Sequence, residues 1–350
     1  MEVVQVVKRF GLCGGMEEYA YRLTCELSRI GVKVYVVCEE KIDEPEHGTI
    51  EIVQLGKSLR KPRWLSHLIF AKKVRNWVMI NIGQNTIIHS HERINCHQVT
   101  TIHTTLYNFP PKRKFPSLRN YLNEYIESRE LNCASIRKIV PVSALIADQI
   151  TEKYSSSRNK LAPPIPPGVS PLDTIKKEYD PEVPVIGFMG KEWKRKGLPK
   201  AIETWRELRK ENPSAKLCLA GFSTDTDIGL KEEELSSVKI LGHVRRKETF
   251  FEQIDILVHP AQKEAFGMVI AEALSIGIPV LCSSETGASE LLNPSKSSLS
   301  YDEPISAWHN ELKKELLLLC NNFQHEAKLS SWRNVAEDYR SLYQQVFYGT

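Results

Sequence analysis

The sequence predicts an α/β chain made of two doubly wound parallel sheets in tandem. Three observations lead there. Short runs rich in Val, Ile and Leu alternate with longer stretches of helical periodicity. The alternation breaks at Ala162-Pro-Pro-Ile-Pro-Pro-Gly-Val-Ser-Pro171 and then restarts. Finally, 350 residues with a 41% hydrophobic fraction are enough for two ordinary domains, each with its own core.

Val3 to Val7 read as a buried strand, Lys8 to Gly15 as a loop, and Met16 to Ile30 as a helix whose Ala20, Leu23, Leu27 and Ile30 share one face. Gly31 stops that helix, and Lys33 to Cys38 form the next strand. A strand, a helix and a strand with so short a return make a right-handed parallel crossover. Ile87 to His89, Val99 to Ile102 and Lys138 to Ser143 read as further strands, followed by a helix from Ala144 to Tyr154. After the proline-rich junction come a strand at Val185 to Met189, a helix at Leu198 to Lys210, and strands at Lys216 to Ala220, Val238 to Leu241 and Ile254 to Val258. Met268 to Ser275 read as a helix stopped by Gly277, and Trp332 to Tyr348 as a final helix. The boundaries expected are 1–165 for the first domain, 166–331 for the second and 332–350 for the last helix.

Composition excludes several classes. No apolar run approaches the roughly 20 residues of a membrane span, and the first residues lack the basic start and apolar core of a signal peptide. A cytoplasmic location is the expectation. The eight cysteines are widely spaced with no C-x-x-C, so neither zinc nor a disulfide framework is expected. Residues 1–165 carry 24 Lys+Arg against 16 Asp+Glu, a balance of +8, whereas residues 166–350 carry 23 against 27, a balance of −4. The first half is therefore the one that draws anions.

The most informative stretch is His259-Pro-Ala-Gln-Lys-Glu264-Ala-Phe266-Gly267-Met268-Val-Ile-Ala-Glu272, which crosses a strand, a loop and a helix. A helix start presents backbone N–H groups and a positive dipole end, which suit a diphosphate. Carboxylates beside such a site accept hydrogen bonds from vicinal diols, so Glu264 is a candidate for sugar hydroxyls and Glu272 for ribose. The spacing alone is common, and two solvated glutamates would satisfy it. Its context, with Phe-Gly after the first Glu and Gly277-Ile-Pro-Val280 after the helix, resembles retaining glycosyltransferases of family 4.

That resemblance implies the GT-B fold, two Rossmann-like domains facing each other across a cleft at the carboxyl ends of their strands, with the final helix crossing back to the first domain. It also gives further motifs a meaning. Gly187-Phe-Met-Gly190-Lys191-Glu-Trp-Lys-Arg195-Lys196-Gly197 resembles the family's Gly-x-x-x-Arg-Lys-Gly element, whose cations meet the donor diphosphate; by itself the run would pass for a solvated basic turn. A guanidinium forks onto phosphate oxygens and an ammonium acts as a mobile point charge. The family often has arginine directly after the glycine where this chain has Lys191, so Lys191 and Arg195 both stand as phosphate cations. Gly14-Gly15 is similar to a Gly-Gly loop near donor phosphate and acceptor, where glycine lets a backbone come close. His103 matches a His-Thr element beside the reacting sugar, and His91 with Glu92 resembles an acceptor-side element. Val244 resembles the place where backbone meets the base, and Glu290 a further acidic position near the nucleotide.

Two other features are weighed on their residues. Asp225-Thr-Asp227 has the form of a metal-binding D-x-D, but it lies in a polar loop and the resembling fold neutralises the diphosphate with basic residues, so no metal is expected. Between Glu51 and Glu92 there are seven basic residues and no acidic one, interleaved with Trp64, Leu65, Leu68, Ile69, Phe70, Val74 and Trp77, and Phe109-Pro-Pro-Lys-Arg-Lys-Phe115 is a second basic run. Either a helix packs its apolar face on the core with its lysines solvated, or the surface docks on an anionic membrane or a phosphorylated lipid-linked acceptor.

The resemblance implies a metal-independent, retaining transfer of a hexose-type sugar from a nucleoside diphosphate donor, a UDP-sugar among the candidates, to a glycan or lipid acceptor. Arg195, Lys196, Glu264 and His103 are the catalytic candidates, and Gly14, Gly15, Lys191, Val244, Phe266, Gly267, Met268 and Glu272 the donor-binding ones. No cofactor beyond the donor, and no nucleic acid, is expected. Arg195-Lys-Gly with Pro166-Pro-Gly-Val narrows the resemblance to bacterial lipopolysaccharide-core enzymes of the cell envelope. A sugar-nucleotide epimerase and a catalytically silent partner subunit are the competing classes on this architecture.

Overall fold

The computed structural model describes residues 1–45, 50–83, 85–107, 118–173, 178–292, 297–321 and 327–349. The chain divides into two compact units, Met1–Gly168 together with Ser330–Thr350, and Val169–Leu329.

The first unit runs β1 (Glu2–Val6), β2 (Arg9–Phe10), α1 (Gly15–Arg29), β3 (Lys33–Cys38), β4 (Glu40–Lys41), β5 (Glu51–Gln54), α2 (Arg63–Asn81), β6 (Thr86–Ser90), β7 (Val99–Ile102), α3 (Leu118–Leu131), β8 (Lys138–Pro141) and α4 (Ala144–Lys153). Its sheet is parallel, in the order β5-β3-β1-β6-β7-β8. Central strands of such a sheet are covered on both faces, which is why Val3, Val4 and Val6 are all fully buried and β6 is buried throughout. The stretch from Lys8 to Gly15, expected as a loop, carries β2, which pairs with β4 just outside the main sheet.

The proline-rich segment is tied to this unit. Ala162 and Ile165 donate to the carbonyls of Ile139 and Pro141 beside β8, so the first unit continues to Gly168. An added Cβ on Gly168 would lie 2.5 Å from the backbone N of Trp332, which brings the end of the segment against the last helix of this unit.

The second unit runs β9 (Val185–Met189), α5 (Leu198–Glu211), β10 (Lys216–Ala220), β11 (Val238–Ile240), α6 (Glu248–Phe251), β12 (Ile256–His259), α7 (Met268–Ser275), β13 (Val280–Ser283), β14 (Ser298–Leu299) and α8 (Ile305–Cys320); α9 (Trp332–Tyr348) then returns to the first unit and packs on α1. This sheet is also parallel, in the order β11-β10-β9-β12-β13-β14. One core joins it to its helices, with Phe188, Leu217, Ile256 and Leu281 from strands meeting Leu198, Trp205, Trp308 and Leu312 from α5 and α8.

The basic stretch 57–77 forms most of α2. It buries Phe70, Ala71 and Val74 against Val4, Val6, Val37 and Ile88, while Lys72 and Arg75 are exposed. Lys73 reaches back to the carbonyls of Leu55, Gly56 and Lys57. The second basic run, 109–115, lies outside the described residues. No described helix is long and apolar enough to cross a membrane.

Candidate functional site

In an open parallel sheet, ligands gather where the strand order reverses, beyond the carboxyl ends of the strands. In the second unit that point lies between β9 and β12. The loop leaving β9 carries Lys191, Arg195 and Lys196, and the loop leaving β12 carries Glu264 and Gly267. The fold locks the two loops together. Gly197 has φ +85, and an added Cβ there would lie 1.7 Å from the Pro260 carbonyl oxygen. Gln262 N–H donates to the Arg195 carbonyl at 2.9 Å.

The side chains follow the backbone. Arg195 Nη1 lies 3.1 Å and Lys196 Nζ 3.4 Å from the same oxygen of Glu264. Arg195 also donates to the Lys263 carbonyl and, at 2.6 Å, to Glu192. Burial works against the Arg195 charge, and Glu264 and Glu192 overcome it, holding the guanidinium above its usual range. The cluster of Arg195, Lys196 and Glu264 has a formal charge of +1, partly open to solvent. It can accept an anion, and Glu264 can exchange one of its cations for a hydroxyl donor.

Glu264 is itself held by its backbone. Its N–H donates to the Glu285 carbonyl at 3.0 Å, and its own carbonyl accepts from Gly287 N–H at 3.1 Å, a bridge across to Thr286. Phe266, Gly267 and Met268 lead straight into α7. Gly267 has φ +95, and a Cβ there would meet the Thr286 methyl at 2.9 Å. Glu272 is buried one turn down, with Lys247 Nζ 2.5 Å from its Oε1.

Lys247 was not among the sequence candidates. The only signal was its place in the basic run Arg245-Arg246-Lys247 just after Val244. His259, at the end of β12, was also missed as a site residue. It is fully buried, and neither ring nitrogen has a hydrogen-bond partner among the described residues. Burial, followed by the nearby charges of Lys196 and Arg195, pushes it well below the usual imidazole range and keeps it neutral.

The remaining positions scatter. Lys191 is exposed in the same turn as Arg195, Val244 is half-buried in the loop after β11, and Glu290 is exposed on a single 3-10 turn. Asp225 and Asp227 sit in an exposed loop, where Asp227 accepts from Gly229 N–H at 3.0 Å. Among the described residues no group of His, Cys, Asp or Glu has the arrangement of a metal site.

In the first unit the strand order reverses between β1 and β6. His91 and Glu92 follow β6, and His103 follows β7 on the adjacent strand. His103 Nε2 lies 2.8 Å from His91 Nδ1, and the Tyr19 ring meets His103 edge-on at 4.8 Å. Burial pushes His103 down to about 3, so it is neutral near pH 7. Glu92 is buried beside Lys8, whose backbone N–H it accepts at 3.3 Å, and burial raises it to about 7. Lys8 Nζ donates to Ser66 at 2.8 Å.

The glycine loop differs from expectation in one respect. Gly14 caps α1 with an extended backbone that any residue adopts. The left-handed glycine is Gly11, at φ +151, where a Cβ would meet Asp43 and Ile42. Gly15 opens α1 directly.

The family model described as Glycosyl transferases group 1 matches residues 172–330, and that described as Glycosyltransferase Family 4 matches residues 13–171. The capsular polysaccharide biosynthesis glycosyltransferase CapM of Staphylococcus aureus is 28% identical over 110 residues, 30% of this chain, and the match spans only 29% of CapM. In structure, the chain resembles WaaG, a glycosyltransferase involved in lipopolysaccharide biosynthesis, with a TM-score of 0.75 and 16% identity over 97% of this chain and 95% of WaaG. It also resembles Anabaena HepE in complex with UDP and glucose, with a TM-score of 0.62 and 14% identity over 98% and 99%. Both structural likenesses bear on the fold, which is that of the GT-B proteins.

Proposed function

The chain belongs to the glycosyltransferases, family 4 in its first half and group 1 in its second, and on that premise we propose that it moves a hexose-type sugar from a nucleoside diphosphate donor to a hydroxyl of a glycan or lipid acceptor, with retained configuration and without a metal. One observation carries this reading: two cations converge on Glu264 where the strand order of the second sheet reverses, at the start of α7. Arg195 and Lys196 neutralise the leaving diphosphate as negative charge builds on it. Glu264 and the backbone of Phe266, Gly267 and Met268 hold the sugar and Glu272 holds the ribose; His103, in the first unit, keeps the catalytic role that the family's His-Thr element implies.

The transition state resembles that of glycoside hydrolysis, and in the proposed mechanism the departing diphosphate takes the acceptor proton. The complex of HepE with UDP and glucose supports a uridine diphosphate donor, and the roles of CapM and WaaG support an acceptor in the cell envelope. The exposed cations of α2, with Met79 and Ile80 exposed near its end, support docking on an anionic membrane that carries a lipid-linked acceptor.

A panel of nucleoside diphosphate sugars tests the reading by thermal shift. The true donor at a hundredfold excess over its dissociation constant stabilises the protein by about 2.7 kcal/mol. Incubation with acceptor glycolipid in anionic liposomes then gives a product whose new linkage keeps the donor's anomeric configuration. No stabilisation by any nucleotide sugar sinks the proposal, and donor converted to another sugar nucleotide without acceptor makes the protein an epimerase. Equal pelleting with neutral and anionic liposomes removes the membrane surface.

A further inference from the structure

We propose that the cavity between α2 and α3 in the first unit is a binding site for a phosphate group, separate from the residues assigned to sugar transfer. It has a volume of about 630 Å³, and its lining includes Arg75 of α2, Tyr125, Ser128 and Arg129 of α3, and Asn95 and Cys96 from the segment that enters β7.

Topology fixes where it lies. In a parallel sheet each helix runs back against the strands, so the last turns of α2 and α3 reach the amino ends of β6 and β8, the strands they lead into. Asn95 and Cys96 likewise stand just before Val99, the first residue of β7. His91, Glu92 and His103 instead follow the carboxyl ends of β6 and β7. The cavity is therefore at the opposite edge of the sheet from them.

Its chemistry is that of an anion site. The charged side chains in the lining are Arg75 and Arg129, with no carboxylate between them. Among the described residues neither guanidinium makes an ion pair or a hydrogen bond. Arg129 lies over the Tyr125 ring, 5.7 Å from its centroid, a contact that places the guanidinium and leaves its N–H groups unused. The Arg75 charge is felt at the Cys96 thiol on the cavity wall, where it opposes the burial that pushes that thiol up to about 11. Ser128 Oγ accepts from the Asn132 amide at 3.2 Å, and among the described residues its own proton goes to no acceptor; Asn95 makes no hydrogen bond there at all. Two guanidinium forks, a hydroxyl and an amide are thus left to donate. A carboxylate, with two oxygens in one plane, fits a single fork, whereas a phosphate carries about two negative charges and oxygens on every side. The carboxyl end of α3 works against an anion with roughly half a negative charge, which two guanidiniums outweigh.

The pairing of arginines elsewhere in the chain shows what is unusual here. Arg29, Arg206 and Arg340 each take a carboxylate one turn away on their own helix, Glu26, Glu203 and Glu337. Helix α2 has no acidic residue to offer Arg75. Beside Arg129, Glu127 turns inward to Lys153 and Glu130 to Thr100. Both cations face one concavity with their local partners absent or taken. The phosphate belongs either to a soluble ester or to a lipid headgroup, sources that share this chemistry and that vesicles separate.

Calorimetric titration of the whole chain with inorganic phosphate, at an ionic strength held constant with chloride, tests the site. The wild-type protein should show saturable binding. Arg75→Gln with Arg129→Gln, in a protein that keeps its melting temperature, should raise the dissociation constant at least about tenfold by removing charge-assisted hydrogen bonds. Arg60→Gln with Lys72→Gln, which removes two exposed cations outside the cavity, should leave it unchanged, and so should Lys196→Ala at the donor site. Vesicles of phosphatidylcholine with and without phosphatidic acid then separate the sources. Phosphatidic acid binding that weakens in the cavity variant assigns a lipid headgroup; vesicle binding that is absent or unaltered, beside lost phosphate binding, assigns a soluble ester. The proposal is overturned by a wild-type protein without saturable phosphate binding, by binding that survives in the cavity variant, or by equal weakening in the control pair. Binding abolished by Lys196→Ala and kept in the cavity variant belongs to the donor diphosphate and equally overturns it, and none of these failures touches the transfer reading, because no donor residue lines the cavity.

Discussion

Arg195, Lys196 and Glu264 hold one another in place through a shared carboxylate oxygen, so removing any one changes what the other two can do. Lys196→Ala takes away the ammonium that would follow charge onto the leaving diphosphate. Glu264→Ala removes the proposed sugar contact and the carboxylate that Arg195 and Lys196 share, leaving Arg195 paired with Glu192. Each is expected to lower turnover by at least about tenfold, roughly 1.4 kcal/mol of barrier, in steady-state kinetics with the donor identified by thermal shift. Near-wild-type rates in both would move the donor site elsewhere. As candidates these residues were legible because each lies on a local strand-to-helix turn: Arg195 and Lys196 precede the glycine that opens α5, and Glu264 precedes the turn that opens α7. Lys247 was not legible, because it meets Glu272 from a separate loop 25 positions earlier, and no local pattern records that pairing.

At the scale of elements, tight turns set the site. Gly197 combines a left-handed backbone with a carbonyl oxygen 1.7 Å from where a Cβ would stand. Gly31 shares the left-handed backbone, at φ +84, but has open space around it. Gly31→Ala should therefore cost only the backbone strain, about 1–2 kcal/mol, whereas Gly197→Ala should cost clearly more because the loops of β9 and β12 must move apart. Urea unfolding of the two variants measures the difference, and equal losses would show that the two loops part freely.

Strands and helices with regular apolar spacing, such as β3, β9, β10, α7 and α9, were readable to within a residue. By contrast, α3 escaped because it buries Asn123, Glu127 and Glu130 on the side where periodicity calls for apolar residues. The two glutamates are satisfied by partners distant in sequence: Glu127 by Lys153 and Tyr154, Glu130 by Thr100. The short edge strands β5 and β14 also escaped, being only partly buried and too brief for a pattern.

Across the whole molecule the two units should answer acid differently. Burial, the leading cause in every case, lowers His67, His89, His91, His97 and His103 in the first unit, and His259 in the second. In an unfolded chain these side chains titrate near 6.5, so below that pH the unfolded state binds more protons and stability falls. Glu92 and Glu130, both raised to about 7 by burial, work the other way, since the folded state takes up their protons first between about 7 and 4.5. Five histidines against three raised carboxyls, Asp338 being the third, leave the first unit the loser on acidification, and its excess of basic residues adds to the effect. Hydrogen exchange at pH 7 and pH 5 should show protection lost over 1–168 before 169–329. A uniform loss, or earlier loss in the second unit, would contradict that assignment.

The sequence by itself determined the fold class, the family, and which candidate donor residues lie on single strand-to-helix turns, because apolar periodicity, glycine placement and short motifs are local properties of a chain. Only the tertiary structure decided that Lys247 pairs with Glu272, that His259 is buried without a partner, and that Gln5, Thr101, Tyr339 and Tyr343 meet around His89. Residue 5 meets residue 343 because a parallel sheet lines up strand ends far apart in sequence while α9 packs against α1.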